Sequence, residues 1–535
     1  MGKQQRTALL SVYHKDGIVD FAQELLNLNF KIISSGGTAK ALSDAGVEVT
    51  DVKEITGTPP ILSHRVVTLA EEIHGGLLAQ DTPEHTSDRE RHAIPWIDLV
   101  CVDLYPLKEE IANENATEES VLEKTDIGGP TMLRSAAKGR RIVIADPKDR
   151  PRVLEWLKEG EPDKEAFLRM LAAKVEYIVS EYTLRSARYH GTFDGMIGTR
   201  VSECSYGENP WQGNAYLYSL NTDDPLALDA FILTEGATPS FNNWIDIGRL
   251  LQTATHIGAG FERNWGSVPL IALGVKHGNA CGAAVGNTPA EVVTQMIKSD
   301  PEAIFGGVVL LNFELGKAEA EILRFHQAEK GRGLDAILAP SITEEAYEVL
   351  GRKNGKCRFL TNPNLHGENL GERSIDRHLR YRFERGTFLT QDNYTYVLNL
   401  KDDDIFSVGD ISESSKKDIV LAWAIGSTSN SNTTTLVKNG QLLGNGTGQQ
   451  ARHFSCEVAL KRAKHHNHSV TGSVAYSDSF FPFTDGPEML ANAGVATIFA
   501  SSGSMGDKKV IESLEKRGVS LMLIPDKKAR GFFGH

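Results

Sequence analysis

Short apolar runs alternate with segments of helical spacing along the first part of the chain. Ala8-Leu9-Leu10-Ser11-Val12 predicts a strand, and Ile18, Phe21, Ala22 and Leu25 then recur three or four apart on one helix face. Phe30-Lys31-Ile32-Ile33 predicts a second strand and Asp98-Leu99-Val100-Cys101-Val102 a third. Leu168, Leu171, Val175, Ile178 and Tyr182 mark one face of a long amphipathic helix that fades over residues 185–191. The polar Gly198-Thr199-Arg200 follows, so a boundary is expected there, giving domains 1–197 and 198–535. Strand and helix patterns alternate again beyond it, interrupted by an Asn/Gly-rich segment over 351–371 that predicts a subdomain junction near 351–375. The alternation predicts an α/β fold. No fixed-period repeat is visible in the residues.

Length and composition narrow the class. A chain of 535 residues exceeds what one core supports, and 40% apolar with 24% charged residues is an ordinary globular balance. Against 57 basic residues stand 70 acidic ones, a net charge of −13, which argues against nucleic acid or an anionic membrane as partner. Any anionic ligand must then be held by local cations and backbone N–H groups. The five cysteines are scattered with no CxxC, so neither a disulfide framework nor a zinc site is expected. Met1-Gly2-Lys3-Gln4-Gln5-Arg6 lacks the apolar core of a signal peptide, and no run reaches membrane-spanning length. A soluble, cytoplasmic protein is the expectation.

Chemistry gathers at a few strand ends. Ser34-Ser35-Gly36-Gly37-Thr38 follows a strand and opens a helix, where exposed N–H groups and the helix dipole suit a phosphate. Lys15, and Arg65 with Thr68, are candidate further contacts. Asp126-Ile127-Gly128-Gly129-Pro130-Thr131 is a second glycine turn at a helix start, followed by Arg134 and Lys138 at i, i+4. Asp103 and Tyr105 close the third strand with a carboxylate and a phenol. In the second part, Leu270-Ile271-Ala272-Leu273 leads into Val275-Lys276-His277-Gly278-Asn279, a buried strand delivering an ammonium and an imidazole onto a turn. An imidazole titrates near neutrality, and a neighbouring cation favours its neutral, basic form. Tyr206-Gly207, Phe305-Gly306-Gly307, the Asn430/Asn432 turn and the aromatic run 480–483 add polar and flat surfaces. The tract His465-His466-Asn467-His468 ends a basic helix and is expected to be a solvated surface run.

Taken in order, SGGT, RVxTL, HGGLL, DLYP, DIGGPTMLRSAAK, YGENPxQ, VKH, FGGVV, KNG, GxGxGQQxR and SDSFFPFTDG make the chain resemble the AICAR transformylase/IMP cyclohydrolase family over nearly its whole length. The resemblance implies an N-terminal methylglyoxal-synthase-like α/β domain with the cyclohydrolase, then a transformylase region of two cytidine-deaminase-like α/β subdomains. It implies formyl transfer from 10-formyltetrahydrofolate, as cosubstrate, to AICAR, then ring closure to IMP. It also implies a homodimer with transformylase sites at the interface, no tightly bound cofactor and no structural metal, and it is compatible with a monovalent cation. By resemblance, His277 handles the amine proton while Lys276 and Asn432 assist the tetrahedral intermediate. Tyr206, Gly207, Phe305, Gly306, Asp335, Phe480, Pro482, Asp485, Arg530 and His535 match positions lining the AICAR pocket. Tyr105, Asp126 and Lys138 match the cyclohydrolase candidates, with Lys15, Ser35, Gly36, Gly37, Thr38, Arg65 and Thr68 as substrate contacts.

The chain also departs from the family pattern. Val67 and Ala70 stand where the family has Lys and His, and Tyr13 and Asp103 replace a Ser and an Asn. Ser205 stands in place of an Arg expected on the AICAR phosphate, Thr484 in place of another Arg, and the Arg530–His535 ending is one residue longer. The leading expectation is a bifunctional enzyme. The alternatives are a transformylase with a weak or inactive cyclohydrolase domain, and a nonenzymatic nucleotide-binding sensor.

Overall fold

Strands buried on both faces organise the N-terminal part, and parallel pairing follows because each strand is joined to the next by a helical crossover. The computed structural model describes residues 5–534, and the chain forms two compact units, Met1–Ile197 and Gly198–His535. In the first unit Arg6–Ser11, Phe30–Ser34, Leu99–Val102 and Ile142–Ile144 pair in parallel, with the short Thr50–Asp51 at the edge. The two strands that the pattern missed are three and two residues long, too short to show a period. The long helix Lys164–His190 buries Leu171, Val175, Val179 and Tyr182. Val179, rather than the expected Ile178, lies on its core face.

The second unit is built on one 12-stranded sheet, and its topology repeats. The first half runs Ile232–Glu235, helix Phe241–Trp265, hairpin Leu270–Lys276/Asn279–Gly286, then strands Val308–Leu311, Ala336–Ala339 and Arg358–Thr361 with helices between. The second half runs Phe406–Val408, helix Glu413–Ser427, hairpin Thr434–Lys438/Gln441–Gly446, then Val474–Ser477, Thr497–Ser502 and Ser520–Pro525, again with helices between. In each half the last three strands are parallel to one another and the opening strand pairs antiparallel with the last. The halves join where Asn279–Gly286 meets Gln441–Gly446. The two long helices pack together over one face of the sheet in a common core that includes Ile247, Leu250, Val275, Leu310, Ile419, Trp423 and Phe499. The repeat is invisible in the residues because it is conserved as geometry and patterning, with loops of different length. Strand Arg358–Thr361 completes the first half and Phe406–Val408 opens the second, so the passage between halves runs over residues 362–405, beginning inside the expected 351–375 junction and extending past it.

Candidate functional site

The Lys276-His277 pair sits at a hairpin tip. Lys276 pairs with Asn279 across it, and His277 (φ 53°) and Gly278 (φ 71°) both take left-handed conformations, as a two-residue type I′ turn requires. The carboxylate of Asp246, on the long helix Phe241–Trp265, accepts the Gly278 N–H at 2.7 Å. Burial pushes the Asp246 carboxyl above its usual range, opposed by the turn N–H groups and the charge of His277. The Lys276 ammonium donates to the Phe305 carbonyl at 2.6 Å, and it and the Asp335 carboxylate each come close to Gly306. Asp335 is in turn paired with Arg352 at 3.0 Å. A cavity of about 200 Å³ beside the turn is lined by Lys276, His277, Asn279, Cys281, Asp300 and Asn445. Burial raises the Cys281 thiol to about 12, so it is no nucleophile at neutral pH.

Asn279 joins this hairpin to the second half, since its Oδ1 accepts the Asn430 N–H at 3.0 Å. Two residues on, the Asn432 carboxamide is held on both sides. Its Nδ2 donates to Gln449 O at 2.8 Å and Gln450 O at 3.3 Å, and its Oδ1 accepts from Arg452 at 2.5 Å. Donation to an oxyanion would require the longer bond, to Gln450, to exchange. Arg452 also pairs with the buried Asp478, which accepts from Ser431 at 2.6 Å. Phe480 and Arg530 face one another at 5.9 Å, and Asp485 lies 3.8 Å from His453, so these expected pocket residues gather on the Arg452 side. Pro482 is exposed next to them. Tyr206 and Gly207 meet the start of the helix that carries Asp246. The Tyr206 carbonyl accepts the Phe241 N–H at the start of the long helix, and Gly207 closes a turn with Gln212. His535 lies outside the described residues.

Three features here escaped the sequence. An open basic cavity of about 460 Å³ is lined by Arg324, Arg352, Lys353 and Lys356, of which Arg352 pairs with Asp335. Its signal was the run Arg352-Lys353-Asn354-Gly355-Lys356, inside the segment read as a subdomain junction. The second is the buried Arg452–Asp478 pair. The third concerns the histidine tract, which is not simply solvated. The His466 ring, 8% exposed, meets Asp300 at 2.9 Å, and His465 and His468 bond Glu302 and the Lys298 carbonyl. The tract thus pins the end of helix Arg452–His465 to the loop after helix Pro289–Ser299, a contact that local pattern cannot reveal.

In the first unit, Ser35 precedes the helix Gly36–Asp44, and the Lys15 ammonium lies over Gly37 while donating to the Tyr13 carbonyl at 3.0 Å. The structure therefore brings Lys15, Ser35, Gly36 and Gly37 together at the carboxyl end of the first two strands. Thr38 is buried and bonds Val12 through both its donor and its acceptor functions, so it staples the helix to the first strand. Asp103 accepts the Tyr13 and His14 N–H groups, and the Tyr13 and Tyr105 rings meet at 5.5 Å. Asp126 accepts the Gly129 N–H at 2.8 Å, and burial raises its carboxyl, as burial also raises the Tyr105 phenol. The Thr68 hydroxyl lies against Gly128 at the start of the helix Gly128–Lys138, with the half-buried Val67 beside it in sequence.

Arg65 and Lys138 are the two remaining expected members. Arg65 is exposed and ion-paired with Glu123. Lys138 ends the helix that Gly128 begins, which places it roughly 15 Å along the axis at 1.5 Å per residue. Sequence spacing gave residue types, while helix direction decided which end each one occupies.

The chain is similar to several known proteins. A crystal structure of ForH is 34% identical and covers 35% of this chain and 97% of that one, at a TM-score of 0.32. The bifunctional purine biosynthesis protein PurH of Anoxybacillus flavithermus is 35% identical over 97% of this chain and 98% of its own length. That of Rippkaea orientalis is 36% identical over the same shares. An MGS-like domain matches residues 17–131, and the AICARFT/IMPCHase bienzyme family matches residues 136–462. With two relatives aligned from end to end, the chain is a member of the AICARFT/IMPCHase bienzyme family.

Proposed function

We propose that the chain transfers the formyl group of 10-formyltetrahydrofolate to the amine of AICAR and closes the product to IMP with loss of water. The observation that carries the reading is the rigid Lys276-His277 turn, set against Phe305, Gly306 and Asp335 and joined through Asn279 to the Asn430–Asn432 loop. The AICAR amine is a weak nucleophile because its lone pair is delocalised, so transfer needs close positioning and removal of its proton. In this reading the amine nitrogen attacks the formyl carbon while His277 takes the amine proton. Lys276 supports the developing oxyanion, Asn432 and Arg452 shape the opposite wall, and the folate nitrogen leaves with a proton. The basic cavity that Arg352 lines suits an anionic group of either substrate.

Ring closure is assigned to the first unit. Lys15 with the Ser35–Gly37 helix start holds the phosphate, and Tyr105 and Asp126 handle protons at the formyl oxygen and carboxamide nitrogen. A homodimer with interface transformylase sites and a cytoplasmic location belong to the same reading. The test supplies purified protein with AICAR and 10-formyltetrahydrofolate and follows tetrahydrofolate and IMP separately. Both products are expected. Tetrahydrofolate without IMP above the spontaneous rate would restrict the activity to the second unit, and neither product would overturn the enzyme reading.

A further inference from the structure

Arg249 is charged where the repeat puts an apolar side chain. Ser240 and Ser412 cap the two long helices, and Asp246 and Asp418, six residues further on in each, bind the two hairpin turns. By the same count Arg249 corresponds to Leu421, which is 0% exposed in the common core. The Arg249 guanidinium donates to the Thr428 carbonyl and, at 3.1 Å, to Asn430 Oδ1. It lies 4.5 Å from the centre of the Phe533 ring, and Arg380, from strand Arg380–Glu384, lies 3.6 Å from the centre of the same ring.

Two guanidinium groups thus share one aromatic ring. Among the described residues neither is ion-paired, and the carboxylates of Asp246 and Asp376 act on them only at a distance. Burial, and then the like charge of Arg380, lowers Arg249 to about 9. A desolvated cation without a counterion is unfavourable, and a second cation beside it makes it more so, unless an anion completes the group. The place is also specific. Asn430, which accepts from Arg249, donates its own N–H to Asn279, and Asp246, one turn earlier on the helix, holds the His277-Gly278 turn.

We propose that Arg249 and Arg380 form an oxyanion subsite of the formyl-transfer centre, taking a phosphate or carboxylate group of one of its two substrates. The nucleotide carries the first and the glutamate tail of the folate the second; this assignment of sources rests on the transformylase reading. Arg forks bind either group in paired hydrogen bonds.

The full chain carrying Arg249→Leu tests this, since the second half already folds with leucine at the corresponding place. Calorimetry compares AICAR with its phosphate-free riboside, and tetrahydrofolate with a pteroamide lacking the glutamate carboxylates. In one of these pairs Arg249→Leu and Arg380→Met are expected to weaken the charged ligand tenfold or more and leave its uncharged counterpart within twofold. The affected pair identifies the source, and Arg249→Lys should restore part of the loss. Equal weakening of charged and uncharged ligands, or no weakening, overturns the proposal. Thermal stabilisation by inorganic phosphate and by glutarate separates it from the catalytic reading. Stabilisation of the wild type that is lost in Arg249→Leu upholds the subsite even if no formyl transfer is found. Stabilisation by neither, or equal stabilisation of both proteins, sinks it even if transfer is fast.

Discussion

Asp246 accepts the backbone N–H of Gly278 at 2.7 Å, and this bond fixes the hairpin tip that carries Lys276 and His277 to the helix behind it. The second half repeats the device, with Asp418 accepting the Gly440 N–H at 2.7 Å beneath Lys438-Asn439. Lys276 bonds the Phe305 carbonyl at 2.6 Å and Lys438 the Thr471 carbonyl at 2.6 Å, each three residues before a strand. These contacts are therefore framework common to both halves. The groups without a counterpart are His277, where the second half has Asn439, and Asp335, where it has Ala496. The repeat separates the hairpin framework shared by both halves from side chains found in one half only.

His277→Asn should accordingly keep the turn, since Asn439 adopts the same left-handed conformation at φ 51°. Formyl transfer is expected to fall about 10²- to 10⁴-fold, the usual worth of a general base. Cyclisation of supplied formyl-AICAR should be unchanged. Rates of tetrahydrofolate release and of IMP formation check this, and an equal fall in both would contradict two separate sites.

Arg452→Met leaves Asp478, whose side chain is fully buried, without its cation. The expected loss of stability is roughly 3–5 kcal/mol, together with slower formyl transfer as the Asn432 Oδ1 loses the guanidinium that donates to it. Denaturant melts of Arg452→Met, Asp478→Asn and the double variant measure the coupling. The double variant should be more stable than the sum of the two losses predicts, because no unpaired charge then remains.

His256 is fully buried against Tyr394, and burial lowers its imidazole to about 4. The unfolded chain binds a proton near 6.5, while the folded chain stays neutral down to about 4. Stability should therefore fall as the pH drops between those values, by up to roughly 1.4 kcal/mol per pH unit. His256→Phe removes this titration. Melting midpoints of both proteins at several pH values should show the variant losing less on acidification.

Val67→Lys places an ammonium beside Thr68 and the start of the helix Gly128–Lys138, where a cation can stabilise developing negative charge. Conversion of supplied formyl-AICAR to IMP is expected to rise at least about tenfold by the same effect. An unchanged rate would mean that Val67 is not what limits ring closure.

Much of the fold was legible because its signals are local. The buried strand Leu270–Lys276 announced itself as an apolar run. The strand Ile142–Ile144 was not legible, since three residues carry no period. Lys138 shows a different limit. Its i, i+4 spacing from Arg134 was correct, yet the helix axis carries it away from Asp126.

The residues by themselves determined the α/β alternation, the glycine turns and the titratable side chains at strand ends, because periodicity and turn chemistry act over a few positions. Tertiary structure alone decided that the second unit is a repeat, that Asn432 is held by Arg452, and that Arg249 and Arg380 meet over Phe533. Those relations join residues separated by 20 to more than 100 positions. They depend on how the sheet orders its strands and where buried charge finds a partner, and neither is written in any local stretch of the chain.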